Sequence, residues 1–219
     1  MKHMLLKNKH KINHIKIIIN ICIIVIYSII FINKVVLANE GVCIDNGCHE
    51  ERVIKVLVLY DDELFFEKGW ENNLNNRLAE INDFYYSNFK IKWKVIAIKQ
   101  YPFNKNIEKL STLFFLHKED ILKLETNAEV ILSIIGRDIK GSGIAATFSN
   151  IIMVSNYDKL LSYRSSVIIA HEFGHLFGAW HTQRTEDFML VSGASNLHAG
   201  KESSSILKLM RNYSFVPET

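Results

Sequence analysis

The stretch His171-Glu172-Phe173-Gly174-His175-Leu176-Phe177-Gly178-Ala179-Trp180-His181 decides how the rest of the chain reads. It has the form H-E-x-x-H-x-x-G-x-x-H. His171 and His175 are four residues apart, so on an α-helix they share one face, about 6 Å apart along the axis. Two imidazoles at that spacing can converge on one ion. Glu172 leaves the row sideways, able to reach a water at the ion without ligating it. On an unbroken helix His181 would sit about 15 Å beyond His171 and off the ligand face. The helix therefore has to end, and Gly178 is placed to end it, because glycine enters the left-handed conformation without a Cβ penalty. The returning chain then delivers a third imidazole. Three neutral nitrogen ligands, with a fourth position left to water, define a catalytic rather than a closed structural zinc site, holding one Zn2+.

A core helix carrying histidines by chance would account for a bare H-E-x-x-H, but not for the glycine and third histidine in register. The full string resembles the signature of the metzincin clan of zinc endopeptidases. That resemblance implies a methionine turn beneath the metal, for which Met189 in Glu186-Asp187-Phe188-Met189-Leu190-Val191-Ser192-Gly193 is the candidate. It also implies an antiparallel edge strand that binds the substrate backbone by strand addition, and Gly143, Ile144, Ala145 and Ala146 match its place in order and distance. A plain hairpin linking two strands is the other reading of that segment. The residue after the third histidine is Thr182, position 191 is Val rather than Tyr, and the catalytic half has no cysteine. An adamalysin- or reprolysin-like placement is therefore the most that the pattern carries, and the subfamily stays open.

Upstream, residues 53–60 are short and rich in branched side chains, as in a buried strand ended by Asp61 and Asp62. Trp70, Leu74, Leu78, Ile81 and Tyr85 recur at helical spacing within 66–87. Residues 91–101 alternate as a second strand with one face partly wet. A short helix is predicted over 116–124, and the near-continuous apolar run 129–135 reads as a central third strand. Residues 151–154 follow the 143–148 segment as a further apolar run. Tyr163-Arg164-Ser165-Ser166 offers candidate N-caps for the histidine helix. Gly174 costs about 1 kcal/mol of helix propensity against alanine, and its expected use is to admit another backbone at the metal. Residues 201–212 read as a closing helix. His117 and His198 lack partners at ligand spacing and read as surface or core histidines, and His49 reads as a solvated loop residue.

This alternation predicts an α/β fold with a mostly parallel twisted sheet. The resemblance adds a metzincin-like zincin architecture: an antiparallel edge strand, a zinc helix and a small C-terminal subdomain.

The first forty residues have a different composition. Lys2, Lys7, Lys9, Lys11 and Lys16 precede the apolar run 17–32, Val36-Leu37-Ala38-Asn39 follows, and no acidic residue occurs before Glu40. That is a basic, then apolar, then cleavable segment. The expected organisation is a signal peptide over 1–38, with an uncleaved anchor as the alternative; a short segment over 39–52; and a catalytic domain over 53–219. Either way the histidine motif is expected outside the cytoplasm, secreted or membrane-anchored. The leader carries six of the 26 Lys and Arg residues, leaving 20 against 23 acidic residues, a balance of −3. A nucleic-acid partner is not indicated. Cys43 and Cys48, an even pair around Asn46-Gly47, are expected to form a small-loop disulfide in an oxidising compartment. The alternative, suggested by the clan, is that one thiolate caps the metal in a latent form. No clear acidic loop for calcium is present.

The sequence therefore predicts a secreted zinc endopeptidase acting on protein or peptide substrates. His171, His175 and His181 hold the metal and Glu172 is the general base. A zinc-binding protein that has lost catalysis on the same scaffold is the alternative.

Overall fold

The computed structural model describes residues 50–63, 69–155, 163–191, 193 and 195–215. The leader, Cys43 and Cys48 lie outside the described residues, and no helix among the described residues is long and apolar enough to cross a membrane.

The elements are β1 (Arg52–Tyr60), α1 (Trp70–Phe89), β2 (Ile91–Gln100), α2 (Leu110–Leu122), β3 (Val130–Ile135), β4 (Gly143–Ala145), β5 (Ile151–Ser155), α3 (Tyr163–Leu176) and α4 (Lys201–Leu209). The five-stranded sheet runs β2-β1-β3-β5-β4. Every neighbouring pair is parallel except β4–β5. The mostly parallel sheet with one antiparallel edge is thus observed, and β3, buried at every position, lies at its centre.

Strand periodicity sends alternate residues into two cores. Ile54, Val56, Val58, Val130, Leu132, Ile134, Ile152 and Val154 face the core shared with α1 and α3. Leu57, Leu59, Ile131, Ile135, Ile151 and Met153 face the core covered by α2. A sheet buried on both faces needs continuous apolar strands, which is why β3 and β5 show no alternation of polarity.

Helix α3 is fixed to the first core by aromatic packing. Trp93 of β2 stacks on Phe173 at 3.7 Å between ring centroids and 9° between planes. The fully buried Tyr85 of α1 donates from its hydroxyl to the Ala170 carbonyl at 2.7 Å. The stacked aromatic pair adds about 0.5–1.5 kcal/mol beyond area burial, and the two contacts together fix the histidine helix to β2 and α1.

Several helix boundaries differ from the sequence reading. Helix α2 covers 110–122 rather than 116–124, because its buried stripe is Leu110, Leu113, Phe114 and Ile121. Leu113-Phe114-Phe115-Leu116 is continuously apolar and hides that stripe, while Phe115 and Leu116 are exposed. Ser165 and Ser166 are not caps: both lie inside α3, both are buried, and Ser166 donates from Oγ to the Glu80 carboxylate of α1. Helix α1 runs to Phe89 and is closed by Lys90 in the left-handed region, φ 58°. Helix α4 stops at Leu209 rather than reaching residue 212.

Candidate active site

Helix α3 presents His171 and His175 one turn apart, as their spacing requires. Its end is built by Gly178, at φ 84°. The Gly178 N–H donates to the His175 carbonyl at 2.9 Å, and the Ala179 N–H to the Gly174 carbonyl at 3.1 Å. This is the paired bonding of a Schellman closure, which satisfies carbonyls the helix would otherwise orphan. The chain then reverses and brings His181 back.

The three Nε2 atoms lie 3.1, 3.2 and 3.2 Å apart. Nitrogens about 2.0–2.1 Å from a tetrahedral zinc are separated by about 3.3 Å, so the donor set and its spacing fit one such ion. The outer nitrogens are also assigned. His171 Nδ1 faces the Phe188 carbonyl at 2.9 Å, and His175 Nδ1 faces the Ala179 carbonyl at 2.7 Å. A carbonyl oxygen only accepts, so each Nδ1 carries the proton and each Nε2 keeps its lone pair for a metal. Helix closure therefore supplies the acceptor that orients His175. Burial holds the His171 pKa down to about 4, against the opposing pull of the Phe188 carbonyl, and lowers that of His175 as well. Both imidazoles are neutral at pH 7, the form that ligates.

Glu172, next to His171 in the sequence, is buried against β4. Burial raises its pKa to about 8, partly offset by a hydrogen bond from the Ala145 backbone. Gly143 makes room for it: a Cβ there would lie 2.5 Å from Glu172 Oε1 and 2.9 Å from Cδ. Two of the edge-strand residues singled out in the sequence, Gly143 and Ala145, thus hold the carboxylate, a role that composition did not signal. Gly143→Ala is expected to displace the carboxylate by about 1 Å and lower kcat by about 10²-fold. Assays alongside metal analysis should find the zinc content unchanged.

The shifted groups also set how stability depends on pH in the metal-free protein. The folded pKa of Glu172 lies above its ordinary value of 4.5, so its contribution is fully present below pH 4.5 and lost as pH rises through about 8. His171 has the opposite sign: its contribution is present above its ordinary 6.5 and lost as pH falls through about 4. Metal-free Glu172→Gln is therefore expected to melt above wild type at pH 8, with no advantage at pH 4.5. Thermal melts across that range in chelator check this.

Met189 is fully buried, and its Sδ lies where a Cβ on Gly174 would come within 2.6 Å. The same Cβ would meet the Phe188 ring at 3.1 Å. Gly174 accordingly admits two side chains of the 188–189 turn, not the backbone expected from the sequence. The turn is tied to the third histidine by backbone: Thr182 N–H donates to the Met189 carbonyl at 2.9 Å, and Val191 N–H to the Thr182 carbonyl at 3.2 Å. Thr182 spends its own hydroxyl on the Arg184 N–H.

Two further features escaped the sequence reading. Phe148, in the left-handed region at φ 58°, lays its ring where a Gly178 Cβ would be 2.5 Å away, joining the β4–β5 turn to the helix closure. No residue-type signal marks it. Asp187 is buried two residues before Met189, and its one signal is the preference of Asp for bonding the backbone two residues on. His198 is exposed, while His117 accepts from the Asn104 N–H and packs on Tyr101 and Phe103; neither joins the cluster.

A parallel α/β sheet with an antiparallel edge, and three convergent histidines on and after one helix, define a metallopeptidase of the zincin type. Residues 50–215 match the family model described as metallo-peptidase family M12. The chain belongs to that family. Among solved structures, archaemetzincin from Methanopyrus kandleri is similar at TM-score 0.55 and 14% identity, over 76% of this chain and 97% of that one. The structure of a chaperone-substrate complex is similar at TM-score 0.53 and 13% identity, over 73% of this chain. There the chain spans about a third, 34%, of its counterpart. At these identities the likeness is one of fold. No curated protein matches in sequence.

Proposed function

We propose that the chain is an extracytoplasmic zinc endopeptidase in which Glu172 is the general base. The observation that carries this is the triangle of three histidine Nε2 atoms 3.1–3.2 Å apart, on a helix whose buried Glu172, next in sequence to His171, is held against β4. His171, His175 and His181 would hold one zinc. When bound, zinc supplies Lewis acidity, polarising a peptide carbonyl and acidifying water.

The chain's own groups do the rest. Phe188 and Ala179 carbonyls fix two imidazole tautomers. Glu172 takes the proton of the attacking water and returns it to the leaving amine. Burial raises the Glu172 pKa in the metal-free protein; the positive charge of a bound zinc would favour the carboxylate, the form that accepts the proton. β4 is the edge of the sheet. Its outer backbone groups, across 143–146, align an extended substrate as an added strand. The substrate is a protein or peptide; the basic–apolar–cleavable leader supports export, with cleavage after Ala38, and a Cys43–Cys48 disulfide fits that compartment.

The test is hydrolysis of casein and of a diverse peptide library, with zinc and with a chelator. Internal cleavage that the chelator abolishes and zinc restores is the expected result. Zinc binding without cleavage of either substrate would favour the catalytically inactive alternative.

A further inference from the structure

We infer that Asp187 is a positioning residue for the metal ligand His171, acting through the single peptide that joins Phe188 to Met189. The inference rests on the metal-site reading above. The Phe188 carbonyl faces His171 Nδ1 at 2.9 Å, and the Met189 N–H on the same peptide unit donates to Asp187 Oδ1 at 3.0 Å. A trans peptide is planar, with its C=O and N–H pointing opposite ways. Gripping the N–H therefore sets the direction of the carbonyl that sets His171. An anionic acceptor at the N–H end also polarises the unit and makes its carbonyl a better acceptor.

The grip is itself held from α4. Ser203 Oγ lies 3.0 Å from Asp187 Oδ1 and 2.9 Å from Oδ2. Gly200 leaves the carboxylate its space, since a Cβ there would come within 2.2 Å of Oδ2. Asp187 is fully buried and Ser203 nearly so. The Phe188 N–H, on the preceding peptide, is held by the His198 carbonyl at 2.7 Å. Thr182, beside the third histidine, has its hydroxyl committed to Arg184 at 2.9 Å and its backbone to Met189 and Val191. Helix α4 is thereby coupled to His171 through three hydrogen bonds in series.

The test compares zinc affinity, by competition with a chromogenic chelator, in wild type, Asp187→Ala, Asp187→Asn and Ser203→Ala, alongside the NMR resonance of the His171 Nδ1 proton. Asp187→Ala is expected to weaken zinc binding about 10–100-fold and to lower kcat with KM little changed. Asp187→Asn, which keeps an oxygen for the Met189 N–H, recovers most of that loss. Ser203→Ala shifts the Nδ1 resonance and weakens zinc in the same direction. A folded Asp187→Ala with wild-type zinc affinity overturns the inference. If that variant does not fold, unchanged affinity and resonance in Ser203→Ala overturn it. Failure of wild type to bind zinc at all would instead remove the underlying metal-site reading.

Discussion

Replacing Glu172 with glutamine is expected to lower kcat/KM for peptide hydrolysis by about 10²–10⁴-fold with zinc still bound. Glutamine is isosteric and keeps an oxygen for the Ala145 N–H, so the contact with β4 survives. Its amide nitrogen accepts no proton, so water activation and amine protonation lose their carrier. The neutral side chain also removes the cost of burying a carboxylate, which keeps the fold intact and separates a chemical defect from a structural one. Steady-state kinetics and metal analysis on the same samples provide the check. Activity within tenfold of wild type would mean that the proton is handled elsewhere.

Replacing His175 with alanine is the second large effect. Its Nε2 is one vertex of the triangle, and its Nδ1 bond to Ala179 ties the helix closure to the metal site. Structural zinc sites are worth about 10–16 kcal/mol over four ligands, so one ligand carries about 2.5–4 kcal/mol, or about 10²–10³-fold in affinity. Chelator-competition titration should show that weakening, and cleavage should fall with it at limiting zinc. The variant should still fold, because Trp93, Phe173 and Tyr85 anchor α3 independently of the ion. Wild-type affinity in this variant would exclude His175 as a ligand.

The histidine triangle is legible because its geometry is local. Residue spacing fixes which side chains share a helix face, and Gly178 advertises the turn that returns His181. The central strands were legible for a similar reason, since β3 has no polar face to hide. What the sequence concealed depends on contacts between distant segments. The neighbours of Gly174 are the Met189 sulfur and the Phe188 ring, which helix propensity cannot reveal. The smallness of Gly143 serves the Glu172 carboxylate, a contact made only when β4 folds over α3. Ser165 and Ser166 resembled caps because Ser favours helix starts, yet Ser166 instead satisfies Glu80 across the helix pair. Asp187 directly follows Glu186, so little in the sequence sets it apart, and its partner Ser203 lies 16 residues on. Its role became readable only once the turn and α4 were in place together.

X-ray absorption at the zinc edge of the folded protein, with metal content measured on the same sample, is the experiment to make first. The expected result is about one zinc per chain, with three nitrogen ligands and one further light atom at about 2.0–2.1 Å. A folded protein that binds no zinc would contradict the three-histidine site outright. A sulfur ligand at about 2.3 Å would instead show the fourth position capped by a thiolate rather than open to water.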